Sequence, residues 1–296
     1  MSRKQPRSLH GRVAVVTGGG RGIGRALCRA LAAEGARVAI GDVDAAAAEE
    51  AASELGGVGL RVDVTDRPGF TAFLDEVERQ LGPIDVIVNN AGIMPVARLE
   101  DEDERSITRQ LEINLHAVIH GTREAVRRMR PRGSGHIVNI ASIAGRSGVS
   151  HLSTYCATKH GVVGLSEAMR SELRGSGVEI SVVMPGLVST ELTAGTKPYR
   201  GFKLQTPEQV ADAIVAALKV PRFEVYVPAS LGPTTKFVAL LPRRAQDALA
   251  RLFKSDEVMS TADHSARAAY EARAAASAPA ADAIEEVVEA ETSAVA

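Results

Sequence analysis

Residues 12–34 have the sequence RVAVVTGGGRGIGRALCRALAAE, and the architecture of the chain follows from them. Arg12–Thr17 is a short run rich in β-branched residues, which is typical of a buried parallel strand. Glycines follow at once, and a helical pattern takes over at Arg25–Glu34. In a strand–glycine loop–helix unit, backbone N–H groups and a helix N-terminus point at a pyrophosphate. The stretch therefore predicts a dinucleotide site at the end of the first strand.

The glycine loop supplies the first candidate cofactor contacts. Glycine adopts positive φ without strain and lets the backbone approach a phosphate closely. A glycine-rich loop alone is weak evidence, but this one stands between a strand and a helix, as the chemistry requires. The candidate contacts in the loop are Gly18, Arg21, Gly22, Ile23 and Gly24.

Asp42 is the candidate that chooses between the two nicotinamide coenzymes. It ends the predicted second strand, Arg37–Gly41, where an acidic residue accepts hydrogen bonds from the adenosine ribose. Its charge would repel a 2′-phosphate, so NAD is favoured over NADP. Arg21 argues the other way, because a loop cation could neutralise that phosphate. We predict NAD, and we assign Asp44 to capping the following Ala-rich helix.

Strand-like runs alternate with helical runs through the first half of the chain. Leu60–Val64 is the predicted third strand, with Asp63 near its end, and Ile84–Val88 is the fourth. Asn89 follows the fourth strand, and structural bracing and cofactor contact are equally good interpretations of it. The alternation predicts an α/β fold with a doubly wound parallel sheet and helices on both faces.

The second half of the chain carries candidate acid–base residues. Tyr155 and Lys159 lie one helical turn apart in the helical run Ser153–Leu173, so they share a face. A phenol with a pKa near ~10 is a poor catalyst at neutral pH, and a fixed ammonium beside it stabilises the phenolate. Ser142 follows the predicted strand His136–Ile140, at the sheet edge where ligands gather. The same spacing also fits an ordinary pair on a helix surface. Motifs elsewhere in the chain are needed to choose between a catalytic and a surface role.

Composition excludes several classes of protein. The chain has 296 residues, is 45% hydrophobic and carries a net charge of −1, which argues against nucleic acid as a partner. Its two cysteines, Cys28 and Cys156, suggest a reducing compartment, and we expect a cytoplasmic protein. No apolar run reaches the length of about 18 residues that spans a membrane. We expect no metal ion at the site.

Taken in order, the motifs resemble those of the short-chain dehydrogenase/reductase family in its compact, single-domain form. The resemblance covers residues 10–230. It rests on the Thr17–Gly24 loop, Asn89-Asn90-Ala91-Gly92, Asn114, Ser142, Tyr155-x-x-x-Lys159, and Pro185-Gly186 with Thr190. It implies a Rossmann-type, seven-stranded parallel sheet and an oxidoreductase that transfers a hydride between NAD(H) and a secondary alcohol or ketone.

The resemblance also implies roles for individual residues. Tyr155 would be the general acid/base, and Lys159 would lower the pKa of Tyr155 and bind the nicotinamide ribose. Ser142 would orient the substrate oxygen, and Asn114 would hold a water in a proton relay through Lys159. The remaining implied cofactor contacts are Asp63, Val64, Asn90, Ala91, Gly92, Pro185, Gly186, Val188 and Thr190.

The substrate is less visible than the cofactor. Residues 187–204 contain Gly and Pro and stand where a lid over the substrate is expected. Their apolar members and three residues elsewhere suggest a hydrophobic alcohol or ketone, such as a lipid, terpenoid or steroid, although simple packing of the lid fits equally well. These residues are Leu187, Leu192, Tyr199, Phe202, Met94, Ile143 and Leu152. Alternatives are an NADPH-dependent reductase of ketones or 3-oxoacyl thioesters, and a dinucleotide-binding sensor without turnover.

The C-terminal part departs from the compact family pattern. We divide the chain into a dinucleotide-binding and catalytic domain (1–230), a helical extension (231–276) and a disordered tail (277–296). Lys236–Lys254 predicts a basic amphipathic helix after Pro242, which could contact a membrane surface, cover the substrate mouth or pack on another subunit. The family resemblance implies a homo-oligomer, either a dimer or a tetramer.

Overall fold

A parallel β-sheet forms the centre of the protein. The computed structural model describes residues 6–196, 203–253, 257–260 and 263–276, and in these ranges seven strands pair in the order β3-β2-β1-β4-β5-β6-β7. All the pairings are parallel. The strands are β1 Val13–Thr17, β2 Arg37–Asp42, β3 Val58–Arg61, β4 Val86–Asn89, β5 Gly135–Ile140, β6 Val178–Pro185 and β7 Glu224–Val227.

Helices cover both faces of the sheet. Helices α1, α2 and α7 pack on one face, and α3, α5 and α6 pack on the other. Strand β1 shows why both faces need cover, because Ala14 and Val16 join one core cluster while Val13 and Val15 join the other. The helices are α1 Gly22–Ala33, α2 Ala45–Ser53, α3 Arg67–Leu81, α4 Glu104–Leu111, α5 Ala117–Met129, α6 Ser153–Glu172 and α7 Pro207–Lys219.

The strand order creates the crevice that holds the site. From β1 the chain turns to β2 on one side and later returns to β4 on the other, so the order reverses at β1. Ligands of open α/β sheets bind outside the carboxyl ends of the strands at such a point. The residues at these ends, Thr17, Asp42 and Asn89, therefore lie around one crevice. The predicted fold class is confirmed.

Two of the differences from the predicted element boundaries affect the site. Strand β3 is Val58–Arg61 rather than Leu60–Val64, so Asp63 lies beyond the strand. The helix predicted over residues 104–130 contains a π-helical turn at Glu112–His116, between α4 and α5. This turn contains Asn114, whose side chain bonds to the backbone of Ile93 instead of facing solvent. Such turns occur often at functional sites.

Four further helices follow β7: α8 Leu231–Ala239, α9 Arg243–Phe253, α10 Glu257–Ser260 and α11 His264–Ala276. Helix α11 returns to the catalytic part of the chain, where Tyr270 and Ala274 join the core. Phe237, Leu240 and Leu252 are exposed on α8 and α9 or beside them. None of the described helices combines the length and apolar character needed to span a bilayer. The tail predicted to be disordered, 277–296, lies outside the described residues.

Candidate active site

A cavity of about 300 Å³ opens at the carboxyl edge of the sheet. All the cofactor-contacting residues predicted from the sequence lie on its wall, together with Ser142, Tyr155 and Lys159. Its volume is in the range of small-molecule sites. One predicted catalytic residue, Asn114, is not on the wall.

The glycine loop is packed too closely for a side chain at Gly18 and Gly24. Gly18 and Gly22 have φ values of +61° and +50°, which favour glycine. A Cβ on Gly24 would lie 2.2 Å from the Gly18 carbonyl oxygen and 2.8 Å from Asn90 Nδ2. Asn90 Nδ2 donates to the carbonyl oxygens of Thr17 (2.9 Å) and Gly18 (3.0 Å), which ties the loop to the end of β4.

The loop leads into helix α1 without a side-chain cap. Arg21 stands at the N-cap position and makes no capping hydrogen bond from its side chain. The first N–H groups of a helix need an outside partner, and a phosphate at this end is favoured by the helix dipole. The cradle therefore fits the pyrophosphate of a dinucleotide.

The charged groups around Asp42 form a defined network. Asp42 accepts hydrogen bonds from Gly20 N (2.9 Å) and Asp44 N (3.1 Å). Arg21 Nη2 donates to Asp44 Oδ2 at 2.6 Å. The pKa of Asp44 is lowered by its capping bond from Ala47 N and by Arg21. The guanidinium of Arg21 is therefore already compensated by Asp44.

The role of Asn89 is resolved in favour of structural bracing. Its side chain is buried and stands outside the cavity wall. Asn89 Nδ2 donates to Asn139 Oδ1 at 2.8 Å, and Asn139 Nδ2 donates to Ser166 Oγ at 3.1 Å. This chain of amides and a hydroxyl links β4, β5 and α6, and it satisfies polar groups that would otherwise be costly to bury.

Ser142, Tyr155 and Lys159 converge at the other end of the cavity. Helix α6 carries Tyr155 and Lys159, which are both buried, and Ser142 follows β5. Lys159 Nζ donates to the Ile140 carbonyl oxygen at 3.0 Å and lies 5.6 Å from the centroid of the Tyr155 ring. The Ser142 hydroxyl oxygen accepts from Ala144 N at 3.1 Å, and Ser142 shares the cavity wall with Tyr155.

Burial governs the protonation of this pair. It raises the pKa of Tyr155, and the neighbouring Ser142 hydroxyl opposes that increase only in part. Burial also lowers the pKa of Lys159 to about 8. Burial therefore opposes the expected lowering of the Tyr155 pKa by Lys159, because the loss of solvent penalises the charged form of both groups. That role of Lys159 stays a prediction.

Asn114 lies behind the cavity wall. Its Oδ1 accepts from Ile93 N and its Nδ2 donates to Ile93 O, both at 2.8 Å. A Cβ on Gly92 would lie 3.1 Å from Asn114 Oδ1 and 3.6 Å from Lys159 Nζ, so Gly92 separates the two side chains. Asn114 therefore fixes the backbone after β4. The water relay through Lys159 stays a prediction.

The substrate half of the cavity is apolar. Five of the seven residues predicted for it line the wall: Met94, Ile143, Leu152, Leu187 and Leu192. The other two, Tyr199 and Phe202, lie outside the described residues. Sequence reasoning missed Ala144, Val149 and above all Met259, which reaches the wall from the C-terminal helix α10. No local pattern marks Met259, because its position depends on a long-range contact.

The glycine cradle, the acidic end of β2 and the Ser–Tyr–Lys group lie together at one edge of a Rossmann-type sheet, an arrangement typical of dinucleotide-binding proteins. A family model described as short chain dehydrogenase matches residues 12–200. The chain belongs to this family.

Individual relatives agree with this assignment. The chain is 39% identical over 187 residues to a 3-alpha-(or 20-beta)-hydroxysteroid dehydrogenase of Mycobacterium tuberculosis, covering 62% of this chain and 72% of the relative. It is 36% identical over 241 residues to "Probable oxidoreductase EphD" of the same species, covering 73% of this chain. That match spans only 41% of the length of EphD.

A solved structure shares the fold. It is a short chain dehydrogenase/reductase from Burkholderia phymatum in complex with NAD, with a TM-score of 0.72 and 27% sequence identity. The match covers 78% of this chain and 93% of that one.

A glycine pair tests the cradle. We expect Gly24→Ala to weaken NAD binding at least tenfold and to lower the melting temperature, because the added Cβ would lie 2.2 Å from a carbonyl oxygen. Gly164→Ala is the matched control, since no atom lies within 4 Å of the Cβ position there. Because Gly164 is inside α6, the control should gain up to about 1 kcal/mol of stability. Calorimetric titration measures the affinity for NAD, and thermal unfolding measures the melting temperature. If Gly24→Ala bound NAD as tightly as the wild type, the glycine loop would not be the pyrophosphate site.

Proposed function

We propose that this protein catalyses the reversible, NAD-dependent oxidation of a hydrophobic secondary alcohol to a ketone. One observation carries the proposal: Ser142, Tyr155 and Lys159 converge on a cavity whose substrate half is apolar.

The proposed chemistry divides between coenzyme and protein. Bound NAD would supply the hydride acceptor next to the substrate carbon. The hydroxyl groups of Ser142 and Tyr155 hold the substrate oxygen, and Tyr155 accepts its proton during oxidation or returns it during reduction. The same two hydroxyls stabilise the negative charge that develops on this oxygen. Lys159 in its protonated form stabilises the phenolate of Tyr155.

The charges on the cavity wall favour a neutral substrate. Among the described wall residues, Arg21 and Lys159 are the cationic side chains, and Arg21 is paired with Asp44 at the cofactor end. Lys159 is held by the Ile140 carbonyl beside Tyr155. A carboxylate or phosphate on the substrate would find no further counter-ion among these wall residues, and burying it unpaired is costly. The hydroxysteroid dehydrogenase among the relatives supports a neutral, ring-containing alcohol.

A coenzyme and substrate panel tests the proposal. Purified protein is assayed with NAD(H) and with NADP(H) against neutral cyclic alcohols and ketones, straight-chain alcohols and 3-oxoacyl thioesters, by absorbance of the reduced coenzyme. We expect the highest kcat/KM with NAD and neutral cyclic substrates. Preference for NADPH with 3-oxoacyl thioesters would replace the proposal by the reductase alternative. NAD binding without turnover of any substrate would favour the sensor alternative.

Asp42 gives a direct test of coenzyme choice. We expect Asp42→Asn to raise the ratio of kcat/KM for NADP over NAD at least tenfold, which corresponds to about 1.4 kcal/mol. The substitution removes the charge that repels a 2′-phosphate and keeps an oxygen that can accept from Gly20 N. Asp63→Asn, another wall carboxylate, is the control and should leave the ratio within about twofold. An unchanged ratio in Asp42→Asn would remove the argument for NAD.

Two further sequence expectations stay proposals. We propose a cytoplasmic location, from the two reduced cysteines, and a homo-oligomer, from the family resemblance. Size-exclusion chromatography with light scattering tests the oligomer.

A further inference from the structure

The C-terminal helix α11 holds two segments of the cavity wall together. Arg267 is fully buried, and its Nη1 donates to the carbonyl oxygens of Leu192 (2.7 Å) and Ala194 (3.3 Å). Its Nη2 donates to the Met94 carbonyl oxygen at 2.8 Å. Leu192 and Met94 both line the substrate half of the cavity, on the segments after β6 and β4. One guanidinium therefore connects the two sides of the substrate site.

Tyr270 strengthens the same connection one turn further along α11. It is buried, and its hydroxyl oxygen accepts from Met94 N at 2.7 Å. With Arg267 on the Met94 carbonyl, α11 satisfies both backbone polar groups of Met94. The ring of Tyr270 also lies 5.4 Å from the Arg267 guanidinium.

Two further contacts attach α11 to the segment after β6. Asp263 N donates to Gly195 O at 3.0 Å, and Arg273 Nη2 pairs with Glu191 Oε2 at 2.5 Å. Glu191 and its neighbour Thr190 both lie on the cavity wall. Helix α11 and the preceding Asp263 thus contact the turn at Glu191, Leu192, Ala194 and Gly195.

Met259 brings the C-terminal segment into the cavity itself. It is buried, lines the cavity, and belongs to an apolar cluster with Met94, Leu152 and Tyr155. Methionine is flexible and fills irregular space, so it can shape a pocket around an apolar ligand. Met259 shares this cluster with Tyr155. A substrate whose oxygen bonds the Tyr155 phenol would therefore have its apolar part near Met259.

Energetics show why this arrangement is specific. A buried guanidinium is costly unless its donors are satisfied. Arg267 meets this condition through three backbone carbonyls and an ion pair from Nε to Glu271 at 3.0 Å. Glu271 belongs to α11 itself, so a helix docked elsewhere would keep this ion pair but would lose the three carbonyl acceptors of Arg267. The burial of Arg267 therefore favours this position of α11.

We propose that residues 257–260 and 263–276 form an intramolecular wall of the substrate site, with Met259 as a specificity-determining residue and Arg267 as a positioning residue that sets the width of the cavity. The wall itself stands on the contacts above, and only the identity of the substrates rests on the proposed function. The substrate class that fits this wall is a neutral, apolar ketone or alcohol whose ring system extends from Tyr155 toward Met259.

Substitutions at Met259 test specificity. The wild type, Met259→Ala and Met259→Phe are assayed for reduction of neutral cyclic ketones that contain a single ring, two fused rings or four fused rings. We expect Met259→Ala to raise the ratio of kcat/KM for the four-ring over the one-ring ketone at least fivefold, and Met259→Phe to lower it at least fivefold. Ratios within twofold of the wild type in both active variants would overturn the role of Met259.

Hydrogen exchange tests the positioning role without turnover. In the full chain with NAD, Arg267→Met and the milder Tyr270→Phe should speed amide exchange in residues 187–196 and 93–97 at least tenfold, while β1 keeps its wild-type rate. Arg251→Met on α9 is the matched control. If Arg267→Met unfolds, Tyr270→Phe alone decides. Unchanged exchange in both segments of a folded variant would overturn the wall.

The two proposals fail in different ways. If no ketone is reduced, the proposed function fails, and the exchange rates still decide the wall. If ketones are reduced but the ring-size ratios and exchange rates match the wild type, the wall fails and the proposed function stands.

Discussion

Tyr155→Phe should reduce kcat for alcohol oxidation by on the order of 10³ while NAD binding stays within about threefold of the wild type. The substitution removes only the phenolic oxygen, which is the group proposed to exchange a proton with the substrate oxygen. The ring that packs with Met94, Leu152 and Met259 is kept. A loss of this size corresponds to about 4 kcal/mol of transition-state stabilisation. Steady-state kinetics and calorimetric titration with NAD measure the two quantities.

Tyr226→Phe is the matched control for this experiment. Tyr226 lies on β7, outside the cavity wall, and its hydroxyl faces Glu224 at 3.5 Å. Its removal should change kcat less than twofold. Substantial turnover by Tyr155→Phe would transfer the acid–base role to another group and would remove the main support of the proposed function.

The sheet could be predicted from the sequence because its signals are local. The β-branched run before Gly18 and the glycine loop carry their own periodicity and turn chemistry, and the same holds for most later strands. The π-helical turn at Glu112–His116 could not be predicted in this way. It accompanies hydrogen bonds between Asn114 and Ile93, which are distant in sequence.

The candidate site also has a part that local sequence signals predict and a part that depends on long-range contacts. The cofactor half could be predicted because Gly18, Gly24 and Asp42 belong to one compact motif. The C-terminal wall could not, since the Ala-rich sequence of α11 predicts a helix but not the surface on which Arg267 is buried. The spacing shows that Tyr155 and Lys159 share a helix face, whereas their burial, which shifts both pKa values, depends on the packing of the whole fold.

We therefore expect Lys159 to support catalysis while lowering the free energy of unfolding. We expect Lys159→Met to lower kcat at least a hundredfold, because no ammonium remains to stabilise the phenolate of Tyr155. We also expect it to raise the free energy of unfolding at pH 7. Burial lowers the pKa of Lys159 from 10.5 to about 8, so the charged form in the folded protein costs about 3 kcal/mol at pH 7. Loss of the hydrogen bond from Lys159 to Ile140 O should reduce the gain in the free energy of unfolding by about 1 kcal/mol.

The sign of the pH dependence separates this cause from a general packing effect. Between pH 8 and pH 10.5 the unfolded chain binds more protons at Lys159 than the folded chain, so the wild type recovers stability as the pH rises. The advantage of Lys159→Met should therefore be largest at or below pH 7 and should shrink toward pH 10. Urea unfolding at pH 7 and pH 10 measures it, with Lys219→Met, at a lysine outside the cavity that pairs with Glu34, as the control. A difference in the free energy of unfolding between Lys159→Met and the wild type that does not change with pH would show that burial of the charged Lys159 does not cost stability. The proposed trade-off between stability and activity at Lys159 would then be wrong.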